Sequence, residues 1–386
     1  MPNKIELSVV MPCLNESETL AICIQKAQKA FRENNINGEI VIADNGSTDG
    51  SQAIALGLGA IVVNVEEKGY GSALMGGVEG AKGEYILMGD SDDSYDFSNI
   101  MVFLEALREG KDLVMGNRFA GGIKNNAMPF LNRYLGNPVL TFIGRLFFGS
   151  PVGDFHCGMR AFSQKAYKEW DLRTTGMEFA TEMVVKATVL QHNIAEVPIH
   201  LYPDGRSRPP HLRRWRDGWR HLRFMCLYAP AWLFLYPGLM LMAVGFSLFS
   251  LLLFRPIDIG FAVLDITTLL YGALMFLTGF QSILFYFKAR IYAGQQGFLP
   301  YTPSFFKLFD YFTLERGLIF GGLLCLFGVG TTLFSLNFWA DHDFGALNPS
   351  VIIRFGVFAF VSLLMGIQII FSSLFFSILG LNKRGG

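Results

Sequence analysis

Four long apolar runs near the C-terminus constrain the fold of this chain more than any other feature. They are roughly Tyr228–Phe254, Ile259–Phe287, Gly317–Trp339 and Val351–Gly380. Each reaches the roughly 20 apolar residues that a helix needs to cross a bilayer. Inside hydrocarbon a helix satisfies its own backbone N–H and C=O groups, so residues 227–386 are expected to form four membrane helices. An even number returns the C-terminus to the side it started from. The loop between the second and third runs carries Lys288, Arg290, Lys307 and Arg316, and the tail carries Lys383 and Arg384. The loop Ala340–Ser350 has Asp341 and Asp343 and no Lys or Arg. Positive charge then places both termini on the cytoplasmic side of a multi-pass protein of the cytoplasmic membrane. Asp265 falls within the second run and Arg354 within the fourth. Each is either a functional intramembrane charge or a side chain reaching the interface from a span end.

The rest of the chain is a different material. Lys+Arg 32 balances Asp+Glu 32, with 51% hydrophobic and 17% charged residues overall. That composition excludes intrinsic disorder, and the absence of basic excess argues against nucleic acid as a partner. Cys13, Cys23, Cys157, Cys226 and Cys325 are odd in number and never spaced as CxxC, which speaks against zinc or a disulfide framework. Met1–Glu6 lacks an apolar segment, so no cleaved secretory signal is expected.

Up to about residue 115, short apolar strands alternate with helical stretches. The strands are Leu7–Met11, Glu39–Ala43, Ala60–Val65, Glu84–Met88 and Leu113–Gly116; the helices are Ser17–Glu33 with Ser17 as N-cap, Thr48–Gly57 and Leu74–Ala81. Such alternation predicts an α/β domain with a mostly parallel, three-layer sheet over residues 1–205. Ligands in these sheets bind beyond the carboxyl ends of the strands.

The chemistry-bearing segments fall at those ends. Asp90, Asp92, Asp93 and Asp96 follow the fourth strand. Four carboxylates in seven residues form either a solvated acidic loop or a site for Mg²⁺ or Mn²⁺, which bind carboxylates together with substrate phosphates. Alternate residues leaving a strand can point the same way, which favours Asp90 and Asp92 as metal ligands, with Asp93 third and Asp96 capping a helix near Ser98. Asp44, Ser47 and Asp49 close the second strand, either as a turn or as a nucleotide contact. Pro12, Asn15 and Glu16 close the first strand, so the two loops should lie side by side. In Lys68-Gly69-Tyr70-Gly71 the dinucleotide fingerprint fails, because Leu74 stands where its third Gly belongs. The glycines are read instead as letting the backbone approach a substrate. Asp154 is either a turn residue or a group that orients an Arg or faces sugar hydroxyls, and neighbouring His156 is not needed as a base.

The succession Pro12, Asn15-Glu16, Asp44, Ser47, Asp49, Gly69, Gly71, Ala73, Asp90, Ser91, Asp92 resembles family 2 glycosyltransferases of the GT-A fold. Gly116-Asn117-Arg118, Asp154 through Gly158-Met159-Arg160, and Gly205-Arg206-Ser207 are similar to the polyprenyl-phosphate (dolichyl-phosphate) sugar synthase branch, including its membrane-anchored members. The resemblance covers about residues 5–225. It implies a Rossmann-like GT-A domain, a D-x-D metal site at Asp90 and Asp92, base recognition at Asp44, and a UDP- or GDP-hexose donor. Pro12, Asn15, Glu16, Ser47, Asp49, Lys68, Gly71, Asp90 and Ser91 are then nucleotide-sugar contacts. Asp92, Asp154, Arg118 and Arg160 are the catalytic candidates. Family members often place Leu and an amide or hydroxyl residue after the D-x-D, where this chain has Asp93 and Ser94.

Two further segments bear on a lipid acceptor. Residues 206–226 hold Arg206, Arg208, Arg213, Arg214, Arg216, Arg220 and Arg223 with Trp215 and Trp219, as an interfacial helix on an anionic leaflet would. Arg206 and Arg208 are assigned to phosphate, together with Arg118 and Arg133. The stretch of about 128–150 is too interrupted to span and reads either as an interfacial amphipathic helix pair or as a core helix. The expected reaction is an inverting transfer of a hexose to a polyprenyl phosphate, with a homo-oligomer allowed. The alternative is a processive polysaccharide synthase, to which His211-Leu212-Arg213-Arg214-Trp215 and Thr181-Glu182-Met183 bear a likeness that fails at one position each. A non-catalytic binding protein is the third reading, and the D-x-D argues against it.

Overall fold

In a computed structural model, residues 4–208, 214–297, 299, 305, 313–345 and 349–381 are described. The chain divides into two compact units, with the boundary between Leu227 and Tyr228.

The first unit is built on a seven-stranded sheet: β1 (Leu7–Cys13), β2 (Gly38–Asp44), β3 (Ile61–Asn64), β4 (Tyr85–Met88), β5 (Leu113–Asn117), β6 (Arg160–Ser163) and β7 (Ile194–Pro198), in the order β3-β2-β1-β4-β6-β5-β7. All neighbours are parallel except β6, which runs antiparallel to β4 and β5. Val9, Val10, Val41, Ile42, Leu87 and Met88 have no exposure at all. Both sheet faces are therefore covered, as near-continuous apolar strands require.

The covering helices are α1 (Leu20–Glu33), α2 (Ser51–Gly57), α3 (Tyr70–Gly80), α4 (Met101–Arg108), the short α5 (Arg118–Gly121), α6 (Asn137–Phe148), α7 (Gln164–Trp170), α8 (Phe179–Val189) and α9 (Arg214–Tyr228). Three of their starts differ from the expectation, two of them because polar groups near the start serve an adjacent loop. Ser17 does not cap α1, because its N–H donates to Asp49 and the helix begins at Leu20. Thr48 likewise donates its N–H to Asn15, and α2 begins at Ser51. α3 begins earlier than expected, at Tyr70, because Gly69 at φ +147° turns the chain directly into it.

The second unit holds α10 (Tyr236–Leu252), α11 (Ile266–Gln295), α12 (Leu314–Ala340) and α13 (Pro349–Leu381). Four segments here, Ala231–Leu252, Ile266–Gln295, Leu314–Ala340 and Val351–Leu379, are long and apolar enough to cross a membrane. Small residues allow close pairing. A Cβ on Gly245 would lie 2.2 Å from the backbone of Phe276, and one on Gly321 2.7 Å from that of Gly366, so α10 packs on α11 and α12 on α13. Leu269 and Leu277 of α11 meet Val357 and Val361 of α13.

Asp265 is not inside a span. Asp258 accepts the N–H of Gly260, which stands at φ +87°, and the resulting hairpin of β8 (Ile257–Asp258) and β9 (Val263–Leu264) leaves Asp265 just ahead of α11. Its carboxylate pairs with Arg354, whose Nε also donates to the carbonyl of Leu252 at 3.1 Å.

Candidate active site

The carboxyl ends of β1 and β2 are joined loop to loop. Cys13 pairs with Asp44 in register, and beyond them Asn15 N donates to Ser47 Oγ (2.9 Å), Thr48 N to Asn15 Oδ1 (2.7 Å) and Glu16 N to Ser51 Oγ (2.9 Å). Asn15 stands at φ +59°, a region Asn enters more readily than most residues. Asp44 is turned into its own loop, accepting from Gly46 N (3.0 Å), Ser47 N (3.1 Å) and Gln52 Nε2 (2.7 Å). Burial alone would raise its carboxyl, but these donors outweigh it and hold it below the ordinary value. Its turn role is thus realised in the structure. Asp49, also bonded to Ser51 and Ser17, is held at about 2 despite its partial desolvation.

The acidic loop after β4 lies beside these. Ser91 Oγ donates to the carbonyl of Pro12 at 2.7 Å, tying β4 to β1. Asp90 Oδ1 accepts from the Tyr70 hydroxyl (3.0 Å). Asp92 Oδ1 accepts from Ser94, and its Oδ2 lies 2.7 Å from Arg206. Arg206 also contacts Glu16 (3.1 Å) and Asp204 (3.1 Å), while Arg208 contacts Glu16 (3.0 Å) and the carbonyl of Leu14 (2.9 Å). The strap 204–208 therefore brings two cations to the carboxylates. Asp93 departs from this group: at φ +61° it turns away to Lys26, 2.7 Å distant. Among the described residues no cluster of three or more His, Cys, Asp or Glu is gathered for a metal. Asp90 and Asp92 remain. Burial, and then the Asp92 charge, push the Asp90 carboxyl up, against the Tyr70 hydroxyl, Arg206 and Arg118, which lower it. Two carboxylates on one loop suit a divalent cation that completes its sphere with water and substrate phosphate. Asp96 accepts from Ser98 N and caps the short helix there.

At the end of β5, Asp154 is fully buried and grips Arg118 with both oxygens, at 2.7 Å to Nε and 2.8 Å to Nη2. Asp154 therefore orients an arginine, one of the two roles expected for it. Arg160, a catalytic candidate from sequence, is turned into the protein. It has no exposure, and its guanidinium donates to the carbonyls of Phe155, Cys157 and Ala180, so it binds the 155–157 loop to α8. His156 packs edge-on against His221 of α9, with ring centroids 4.6 Å apart, and neither of its ring nitrogens has a hydrogen-bond partner. Burial, then His221 and Arg118, push its pKa far down, so it is held neutral.

The glycines after Lys68 face protein, not an open site. A Cβ on Gly69 would lie 2.1 Å from the Thr175 carbonyl oxygen and one on Gly71 2.3 Å from that of Thr174. Lys68 Nζ donates to the carbonyl of Asn45. Arg133 lies over the Tyr134 ring, 5.4 Å from its centroid, with no described contact to the carboxylate group. Its neighbourhood is not core: Phe130 is 77% exposed, and Tyr134, Leu135, Phe142 and Leu146 are open as well, so α6 presents an apolar face outward. A cleft of about 750 Å³ runs beside it, lined by Phe119, Thr141, Phe142, Arg145 and Gly153. Residues 209–213, with His211 and Arg213, lie outside the described residues; the described part of α9 exposes Trp215 and Trp219 and buries Asp217, His221 and Met225.

Sequence reasoning gave Tyr70 and Tyr95 no role and met Glu182 only in the failed likeness of Thr181-Glu182-Met183. Tyr95 donates nothing to substrate patterns, yet its hydroxyl accepts the N–H of Gly158 at 2.8 Å. The signal for Tyr70 was present, since it sits between the two constrained glycines.

Comparison with known proteins adds the following. Residues 8–171 match the family described as Glycosyl transferase family 2, and residues 287–380 match the Glycosyltransferase family 2 C-terminal transmembrane region. The low-salt glycan biosynthesis hexosyltransferase Agl6 of Haloferax volcanii is 38% identical over 377 residues, covering 97% of this chain and 89% of that protein. A dolichyl-phosphate hexose transferase of the same organism is 32% identical over 196 residues, covering 50% of this chain and 82% of its own length. Among solved structures, glucosyl-3-phosphoglycerate synthase from Mycobacterium tuberculosis, in complex with Mn²⁺, UDP and glucosyl-3-phosphoglycerate, aligns with a TM-score of 0.43 at 22% identity, covering 59% of this chain and 78% of that one.

Proposed function

The chain belongs to glycosyltransferase family 2 and is a multi-pass membrane protein, and from that premise we propose that it transfers a hexose from a nucleotide sugar to a polyprenyl phosphate at the cytoplasmic leaflet. The observation that carries this reading is the pairing, within one compact unit, of an acidic site at the carboxyl ends of β1 and β4 with two arginines and an outward apolar helix, α6. The name of the dolichyl-phosphate hexose transferase relative supports the lipid acceptor.

In this reading Asp90 and Asp92 would hold Mg²⁺ or Mn²⁺, which supplies charge stabilisation to the departing nucleoside diphosphate. Asp44, Ser47, Asp49, Asn15 and Glu16 shape the wall that receives the nucleotide. Arg206 and Arg208, already at the carboxylates, meet phosphate oxygens, which a guanidinium binds in bidentate fashion. Arg118, fixed by Asp154, faces the same end of the sheet. The acceptor phosphate has a second pKa near 6, so it arrives as an oxyanion and requires positioning, not a base. His156, held neutral behind the site, is consistent with that chemistry. An oxygen of the lipid phosphate forms the new bond to the anomeric carbon as the bond to the diphosphate breaks, with inversion. Trp215, Trp219 and the α6 face then rest on the membrane.

Purified protein given a panel of UDP- and GDP-hexoses, a polyprenyl phosphate and Mg²⁺ or Mn²⁺ tests this. Mass spectrometry should find one sugar per lipid, joined by a bond labile to mild acid. A polymer, or a product on a hydroxyl acceptor, overturns it.

A further inference from the structure

The Asp90 carboxylate is hydrogen-bonded on one side and closely packed on the other, and both neighbouring segments are tied to α8. On one side its Oδ1 accepts the Tyr70 hydroxyl at 3.0 Å. Tyr70 opens α3, and that helix end is fixed against the segment 173–175: Ser72 N donates to the Thr175 carbonyl at 3.2 Å, and Gly69 and Gly71 leave no room for a Cβ there. The segment is in turn pinned by Glu182 of α8, a residue with no exposure. Its carboxylate accepts the N–H of Arg173 (3.1 Å) and of Thr174 (2.8 Å) and the Thr174 hydroxyl (2.6 Å), with Lys186 2.9 Å away as counter-ion. On the other side, Gly158 stands so near that a Cβ on it would lie 2.5 Å from Asp90 Oδ2. The loop carrying Gly158 is bound to α8 through Arg160 and the Ala180 carbonyl (2.7 Å).

A buried ion pair such as Glu182–Lys186 is costly to desolvate and weak evidence for stability by itself. Its three backbone and hydroxyl donors all lie in the segment that seats Tyr70. We propose that Tyr70 is a positioning residue that sets the Asp90 carboxylate for a divalent cation, with Glu182 holding Tyr70 at its station through residues 173–175. The proposal rests on the reading that Asp90 and Asp92 bind that cation. A hydrogen bond to one carboxylate oxygen fixes the direction of the other, as partners of metal ligands do elsewhere.

The test is Mn²⁺ binding to the full-length protein in detergent, followed by electron paramagnetic resonance with and without UDP, alongside the KM for Mn²⁺ in sugar transfer. Tyr70→Phe should weaken Mn²⁺ binding about 10- to 100-fold and raise the KM for Mn²⁺ more than it lowers kcat, with an unchanged melting midpoint. Glu182→Gln should act in the same direction. Wild-type affinity in a folded Tyr70→Phe variant, while Asp92→Asn loses Mn²⁺, overturns the role of Tyr70 and leaves the metal reading standing. Failure of the wild-type protein to bind Mn²⁺ in either condition overturns both.

Discussion

Gly158 shows how a single hydrogen atom in place of a methyl group shapes this site. A Cβ there would meet Asp90 Oδ2 at 2.5 Å and the Tyr95 ring at 3.0 Å. Tyr95 is 3% exposed and its hydroxyl accepts from Gly158 itself, so the ring cannot withdraw and the carboxylate must move. Misplacement of a reacting or ligating group by about 1 Å costs about a hundredfold in rate. Gly158→Ala is therefore expected to lower kcat of sugar transfer about a hundredfold, read by product formation at saturating donor; near wild-type kcat would show that Asp90 tolerates displacement. The same scale explains Arg160. From sequence, an Arg two residues past a glycine in a motif looks like a phosphate ligand, and nothing in its identity says that three carbonyls will surround it. Arg118 differs in that its partner is a carboxylate side chain, Asp154, which it meets with two nitrogens.

At the scale of elements, the strand ends and the acidic segment were legible because their signal is local: apolar runs, then Asp or Gly. Helix starts were not, because Ser17 and Thr48 serve partners on a neighbouring loop, a pairing created only when β1 and β2 align. Asp93 turns away from the other carboxylates for a related reason. Its left-handed backbone and its bond to Lys26 of α1 are tertiary facts that spacing within the loop does not carry. The docking of α9 was equally invisible, and it has a measurable consequence. His221 bonds Thr181 of α8 (2.7 Å) and faces His156, with Asp217 on its own helix and Arg160 nearby. Burial pushes its pKa down to about 4, with Arg160 adding to the effect and Asp217 opposing it. The unfolded chain, with histidine near 6.5, then takes up the proton that the folded unit refuses. This contribution to stability is complete above about 6.5 and is lost as pH falls toward 4. The melting midpoint, followed by tryptophan fluorescence, should therefore drop between pH 7 and 5 more steeply in the wild type than in His221→Gln. Parallel curves would remove His221 from the account.

At the scale of the whole molecule, the neutral total charge conceals a strict separation of materials. The first unit concentrates carboxylates and arginines at the carboxyl ends of its strands, while the second carries four apolar helices with few charges. One pair, Asp265 and Arg354, neutralises itself at the end where α10 closes and α11 begins. Satisfying both charges internally removes any need for them to set orientation, which leaves the loops to do so. The loop from 340 to 350 offers Asp341 and Asp343 without a Lys or Arg, whereas the end of α11 carries Lys288 and Arg290, the connection after it Lys307, and the start of α12 Arg316. If that asymmetry orients the chain, the catalytic unit shares its compartment with the C-terminus and with the nucleotide sugars it is proposed to use. Single cysteines introduced by Asp343→Cys and Lys383→Cys distinguish the arrangements in intact cells. A membrane-impermeant maleimide added from outside should modify the first and leave the second untouched until the membrane is opened. The reverse pattern would place the carboxylate site outside the cytoplasm and require a donor other than a cytoplasmic nucleotide sugar.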